Sequence, residues 1–125
     1  MAVTATMYAG TFHGRPDQVR RARAAVARYL DGCPAADDAV LVVSEIASNS
    51  VLHSASRGGF FTIRCELYPD YVWVECEDLG GPWQCRPLDE RPHGLDVVEA
   101  LAGPDSWGTE ETSDGDRVVW VRLAL

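Results

Sequence analysis

The chain has 125 residues, with 11 basic and 19 acidic side chains giving a formal charge of −8, and 46% of it is hydrophobic. That acidity excludes a broad nucleic-acid footprint and docking on an anionic membrane. The apolar content excludes a disordered or fibrous chain and predicts one globular domain spanning residues 1–125.

Residues 4–12, TATMYAGTF, are rich in Thr and aromatics and stop at His13-Gly14, which predicts a first strand at a sheet edge. Pro16 then stands at a first helical position, and Val19, Ala22, Val26 and Tyr29-Leu30 recur at helical spacing until Gly32 and Pro34 end the run. The arginines between 15 and 28 read as the solvated outer face of that helix. Asp37 and Asp38 suit the first turn of a second helix, whose Val40, Val43, Ala47 and Ser50-Val51 trace a stripe ending near Ser54.

After Arg57-Gly58-Gly59 the period changes to two. Tyr68-Pro69-Asp70-Tyr71 reads as a tight turn, so Leu67 should face Val72, Cys65 Val74, Ile63 Cys76, and Phe61 Asp78. The opposite face carries Thr62, Arg64, Glu66, Trp73, Glu75 and Glu77, the pattern of a sheet wetted on one side. Residues 79–93 have two Gly, three Pro and no clean period, so they are read as a long functional loop. Leu95, Val98 and Leu101-Ala102 mark a third helix stopped by Gly103-Pro104, and two strands, 106–112 and 117–123, flank Ser113-Asp114-Gly115.

Cys33, Cys65, Cys76 and Cys85 show no Cys-x-x-Cys spacing and no His in a metal-ligand pattern. There is no charged-then-apolar leader and no apolar run of membrane-spanning length. Reduced thiols and a cytoplasmic location are the expectation.

Three features could carry chemistry. Glu45, Asn49 and His53, in the stretch SEIASNSVLH, lie four residues apart and so share a helix face. Asp78 ends an apolar strand face and precedes Leu79-Gly80-Gly81-Pro82. An inward carboxylate there could accept a hydrogen bond from an exocyclic amine such as that of adenine, with glycines allowing close approach of a flat ring. His93-Gly94-Leu95 opens the third helix, whose free N–H groups could hold phosphate oxygens. In this order they describe a nucleotide pocket.

The ordered motifs resemble the GHKL ATPase and kinase superfamily, and within it the stand-alone anti-sigma factor type of serine/threonine protein kinase. Glu45 to His53 is similar to the N box of that family, Asp78 to Pro82 to its adenine-binding glycine box, and Gly94-Leu95 to Ala102 to its second glycine box. Trp107-Gly108 and Gly115 to Trp120 resemble its last strands. The resemblance implies a Bergerat-type α/β two-layer sandwich, with a mixed, mostly antiparallel sheet and helices on one face.

It further implies that Asn49 coordinates Mg²⁺, that Glu45 serves as general base or orients the nucleophile, and that Asp78 binds the adenine amino group of ATP. Gly80, Gly81, His93, Gly94 and Leu95 would then line the nucleotide, and His53 would stand behind these groups. The implied activity is transfer of phosphate to a Ser or Thr of an anti-sigma-factor antagonist, with binding to a sigma factor in a partner switch. Self-association as a homodimer is a further family expectation. Relatives carry Gly where this chain has Pro92, and a threonine that helps seat adenine where it has Val118. These departures keep open an alternative, a regulator that sequesters a partner protein with little or no use of nucleotide.

Overall fold

The computed structural model describes residues 6–53, 58–80 and 95–125, with the side chains of Thr6 and His53 left aside. Its elements run β1 (Thr6–His13), α1 (Pro16–Tyr29), α2 (Ala36–His53), β2 (Phe60–Leu67), β3 (Tyr71–Asp78), α3 (Leu95–Ala102), β4 (Trp107–Glu111) and β5 (Arg117–Ala124). The fold is α+β, with a five-stranded sheet in the order β1-β2-β3-β5-β4 and three helices packed on one of its faces.

All four pairings among the described strands are antiparallel, so the sheet is not mixed in its hydrogen bonding. The reason is topological. The chain passes from β3 through α3 to β4, and β5 then inserts between the two. β3 and β4 are each antiparallel to β5 and hence parallel to each other, but they share no ladder.

Local sequence explains each element. Pro16 occupies the first turn of α1, where a missing N–H costs nothing, Asp17 lies at its positive end and Arg28 at its negative end. Gln18, Val19, Ala22 and Val26 form its buried stripe. The turn between β2 and β3 closes through the Tyr68 N–H and the Tyr71 carbonyl, and the hairpin register pairs Leu67 with Val72, Cys65 with Val74, Ile63 with Cys76 and Phe61 with Asp78, as the turn residues predict.

The core lies between the helices and the inner sheet face, built from Leu30, Val42, Val43 and Ile46 against Phe61, Ile63, Val72, Val74, Val119 and Val121. α2 packs against both α1 and the sheet, so its buried face is wider than a single stripe and takes in Ala39, Val42 and Ile46 as well as Val43 and Ala47. The outer face is polar and aromatic. Arg64 bridges Glu75 at 3.0 Å and Glu77 at 2.9 Å across the hairpin, and the rings of Trp73 and Trp120 stack at 5.1 Å.

Candidate functional site

The last two turns of α2 cross the inner face of the sheet near the end of β3, and this crossing gathers the polar residues of an otherwise apolar interior. Among the described residues the buried polar set is Gln18, Asn49, Ser50 and Asp78. Gln18 belongs to α1; Ser50 and Asp78 meet where α2 passes the C-terminal end of β3, and Asn49 is the neighbour of Ser50 on that helix.

Asp78 is 2% exposed and faces inward because strand alternation puts it on the same face as Cys76 and Val74. Its Oδ2 accepts a hydrogen bond from Ser50 Oγ at 2.8 Å, and its Oδ1 accepts the Gly80 N–H at 2.8 Å. Burial pushes the carboxyl above its usual range, opposed by these two donors and by the positive charge of Arg117. A carboxylate offers about four lone-pair sites, so two donors leave it able to accept more.

Ser50 links this acid to the strand interior. Cys76 Sγ lies 3.2 Å from Ser50 Oγ; burial pushes the thiol up to about 12, so it keeps its proton, and since the one hydroxyl proton of Ser50 goes to Asp78, the thiol is the donor in this pair. The chain of bonds therefore runs from thiol to hydroxyl to carboxylate. Ser50 Oγ also lies 3.1 Å from the Ile46 carbonyl, which competes with Asp78 for the same hydroxyl proton.

Asn49 is 4% exposed, and its Nδ2 is a buried donor with no hydrogen-bond partner among the described residues. Leaving such a group unmade costs about 1–3 kcal/mol, so this donor calls for a partner such as a water, an ion or a ligand. Glu45 is half-buried one turn earlier on the same helix, so α2 carries a carboxylate and an amide whose nitrogen lacks a partner among the described residues on neighbouring turns of one face.

The glycine at 80 has a structural reason of its own. Its φ is +73°, and a Cβ there would stand 2.2 Å from the Gly115 carbonyl oxygen. The missing side chain lets the end of β3 meet the β4–β5 turn, so close approach of a flat ring is not needed to explain it.

Leu95 opens α3 with its side chain buried, 3% exposed, so only its backbone could face a ligand. Gly81, His93 and Gly94, together with the rest of the loop from 81 on that the sequence marks as functional, lie outside the described residues, as does the side chain of His53. Val118 is corrected: opposite Glu77 it sits on the outer face, while Arg117 pairs with Asp78 on the inner face. No side chain at 118 could seat a base beside Asp78.

Ser50, Cys76 and Arg117 were not singled out from sequence. Ser50 is adjacent to Asn49 and is the polar member of an apolar stripe, a signal that was available. Arg117 becomes visible only once the β3–β5 register is known. The fold and site define an α+β domain with a buried polar niche at the end of its central strand. No family model matches the chain, and no curated protein matches it.

Proposed function

We propose that this protein is a nucleotide-dependent regulator of the anti-sigma kinase kind, with a Bergerat-type pocket that binds ATP and Mg²⁺ and passes a phosphoryl group to a Ser or Thr of a partner protein. The buried Nδ2 of Asn49, which has no partner among the described residues, carries the reading. An amide held dry at the cost of a hydrogen bond suits a residue whose oxygen goes to a metal ion and whose N–H goes to a phosphate oxygen.

In this reading Asp78 accepts the 6-amino group of adenine through a lone pair not used by Ser50 or Gly80. Ser50 holds the carboxylate in place from behind. Asn49 is the protein ligand of Mg²⁺, which neutralises phosphate charge when bound. Glu45 accepts the proton of the attacking hydroxyl or orients it. The partners are an anti-sigma-factor antagonist, as acceptor, and a sigma factor.

The test is equilibrium binding of ATP and GTP with and without Mg²⁺. An acceptor at Asp78 favours ATP, because guanine presents a carbonyl oxygen where adenine presents an amine, and Asn49→Ala should remove the gain that Mg²⁺ gives. Equal binding of the two nucleotides, or a gain from Mg²⁺ that survives Asn49→Ala, would contradict it. With a partner in hand, Glu45→Ala should bind ATP and transfer no phosphate.

A second reading has its own support. Arg117 stands opposite Asp78 and supplies a positive charge to it from within the chain. A carboxylate so provided for could serve the fold alone, in a regulator that sequesters its partner without nucleotide.

A further inference from the structure

β1 forms one edge of the sheet, and among the described residues no strand pairs with its outer side. Half its backbone N–H and C=O groups therefore point away from β2. Proteins usually blunt such an edge with Pro, a bulge or a charge; the eight residues Thr6–His13 contain no Pro and no Asp, Glu, Lys or Arg, and their register with β2 runs unbroken.

Beside this edge a groove of about 500 Å³ runs between β1 and α1, lined by Thr11, Phe12 and His13 on the strand and by Gln18, Arg21 and Arg28 on the helix. Arg21 and Arg28 are two turns apart, about 10 Å along the helix. Both are exposed, and neither forms an ion pair with a described residue. The one carboxylate in this stretch, Asp17, is engaged by Arg15 at 3.2 Å and by the Gln18 amide at 3.3 Å. Residues 15–28 hold five of the 11 basic residues of a chain whose net charge is −8, so the groove is a local reversal of sign.

We infer that this edge receives an extended acidic segment of a partner protein, added as a further strand on β1. The open ladder asks for a peptide backbone, which a small anion does not have. The side chains of the added strand alternate: those pointing toward the helix layer meet Arg21 and Arg28 and should be Asp or Glu, while those on the outer face lie beside Met7, 65% exposed, and Ala9 and should be apolar. A second copy of this chain fits less well. Its β1 brings no carboxylate, and twofold pairing of the edges would set two arginine-rich helices side by side.

The experiment is a titration of the isotopically labelled protein, free of nucleotide, with a synthetic eight-residue peptide alternating Glu and Val, followed by amide chemical shifts. Shifts should be confined to β1 and α1, and added salt should weaken binding. Arg21→Glu with Arg28→Glu, or replacement of every Glu of the peptide by Gln, should raise Kd by about tenfold or more. Arg20→Glu with Arg23→Glu, which line a different groove against α2, should change it by less than about twofold. The inference is overturned by shifts elsewhere or none at millimolar peptide, by equal affinity for the Gln peptide, or by β1 amides already protected in a free protein that tumbles as a dimer. The nucleotide site plays no part in any of these readouts.

Discussion

Ser50 Oγ on α2 donates to Asp78 Oδ2 on β3 at 2.8 Å, across the inner face of the sheet and 28 residues apart in sequence. This bond joins the helix that carries Glu45 and Asn49 to the strand end that carries the acid, so the geometry of the niche depends on it.

Ser50→Ala removes a buried donor and leaves the carboxylate with the Gly80 N–H. The expected cost is about 1–3 kcal/mol of stability, read from urea unfolding. In an Asp78→Asn background the cost should shrink, because the group left without a partner is then uncharged. An equal cost in both backgrounds would show that Ser50 acts through packing alone.

Two glycines with the same backbone geometry separate strain from contact. Gly58, φ +80°, has nothing within 4 Å of an added Cβ, whereas at Gly80, φ +73°, the Gly115 carbonyl oxygen stands at 2.2 Å. Gly58→Ala should cost about 1–2 kcal/mol from the left-handed conformation alone. Gly80→Ala should cost a further 1–3 kcal/mol or so from the clash. Denaturation of the pair checks the difference.

Burial raises the pKa of Asp78 in the folded chain above its ordinary value of 3.8. Below that ordinary value both folded and unfolded chains hold the proton, and no penalty exists. As pH rises through the folded pKa, the unfolded chain ionises more readily and stability is lost. Asp78→Asn should therefore gain stability relative to wild type as pH rises above 3.8, measured as the difference in urea midpoints. A constant difference across that range would show that the acid ionises equally in both states.

Much of the fold was legible in the sequence, for local reasons. The Pro69-Asp70 turn sets the β2–β3 register, and that register with strand alternation already puts Asp78 inside. Pro16 and Gly32 bracket the first helix, while Gly103-Pro104 closes the third. What was not legible depends on strand order. β5 lies between β3 and β4, and nothing local in residues 107–124 says so; the mixed sheet, and the match of Val118 to a threonine beside adenine, came from the resemblance and not from local signals, and Arg117 was overlooked. Asn49 and Ser50 differ for a similar reason: four-residue spacing finds a helix face, but only the sheet packed beneath α2 decides that the Asn49 nitrogen has no partner among the described residues while Ser50 meets Asp78.

The central claim is that the niche between α2 and the end of β3 is a nucleotide pocket, and calorimetric titration of the full chain with ATP and Mg²⁺ tests it most directly. Wild type should bind, Asp78→Asn should lose the heat of binding while remaining folded, and Asn49→Ala should bind more weakly and without dependence on Mg²⁺. No binding by wild type at millimolar nucleotide, or binding unchanged in Asp78→Asn, would contradict the account and leave a partner-sequestering regulator in its place.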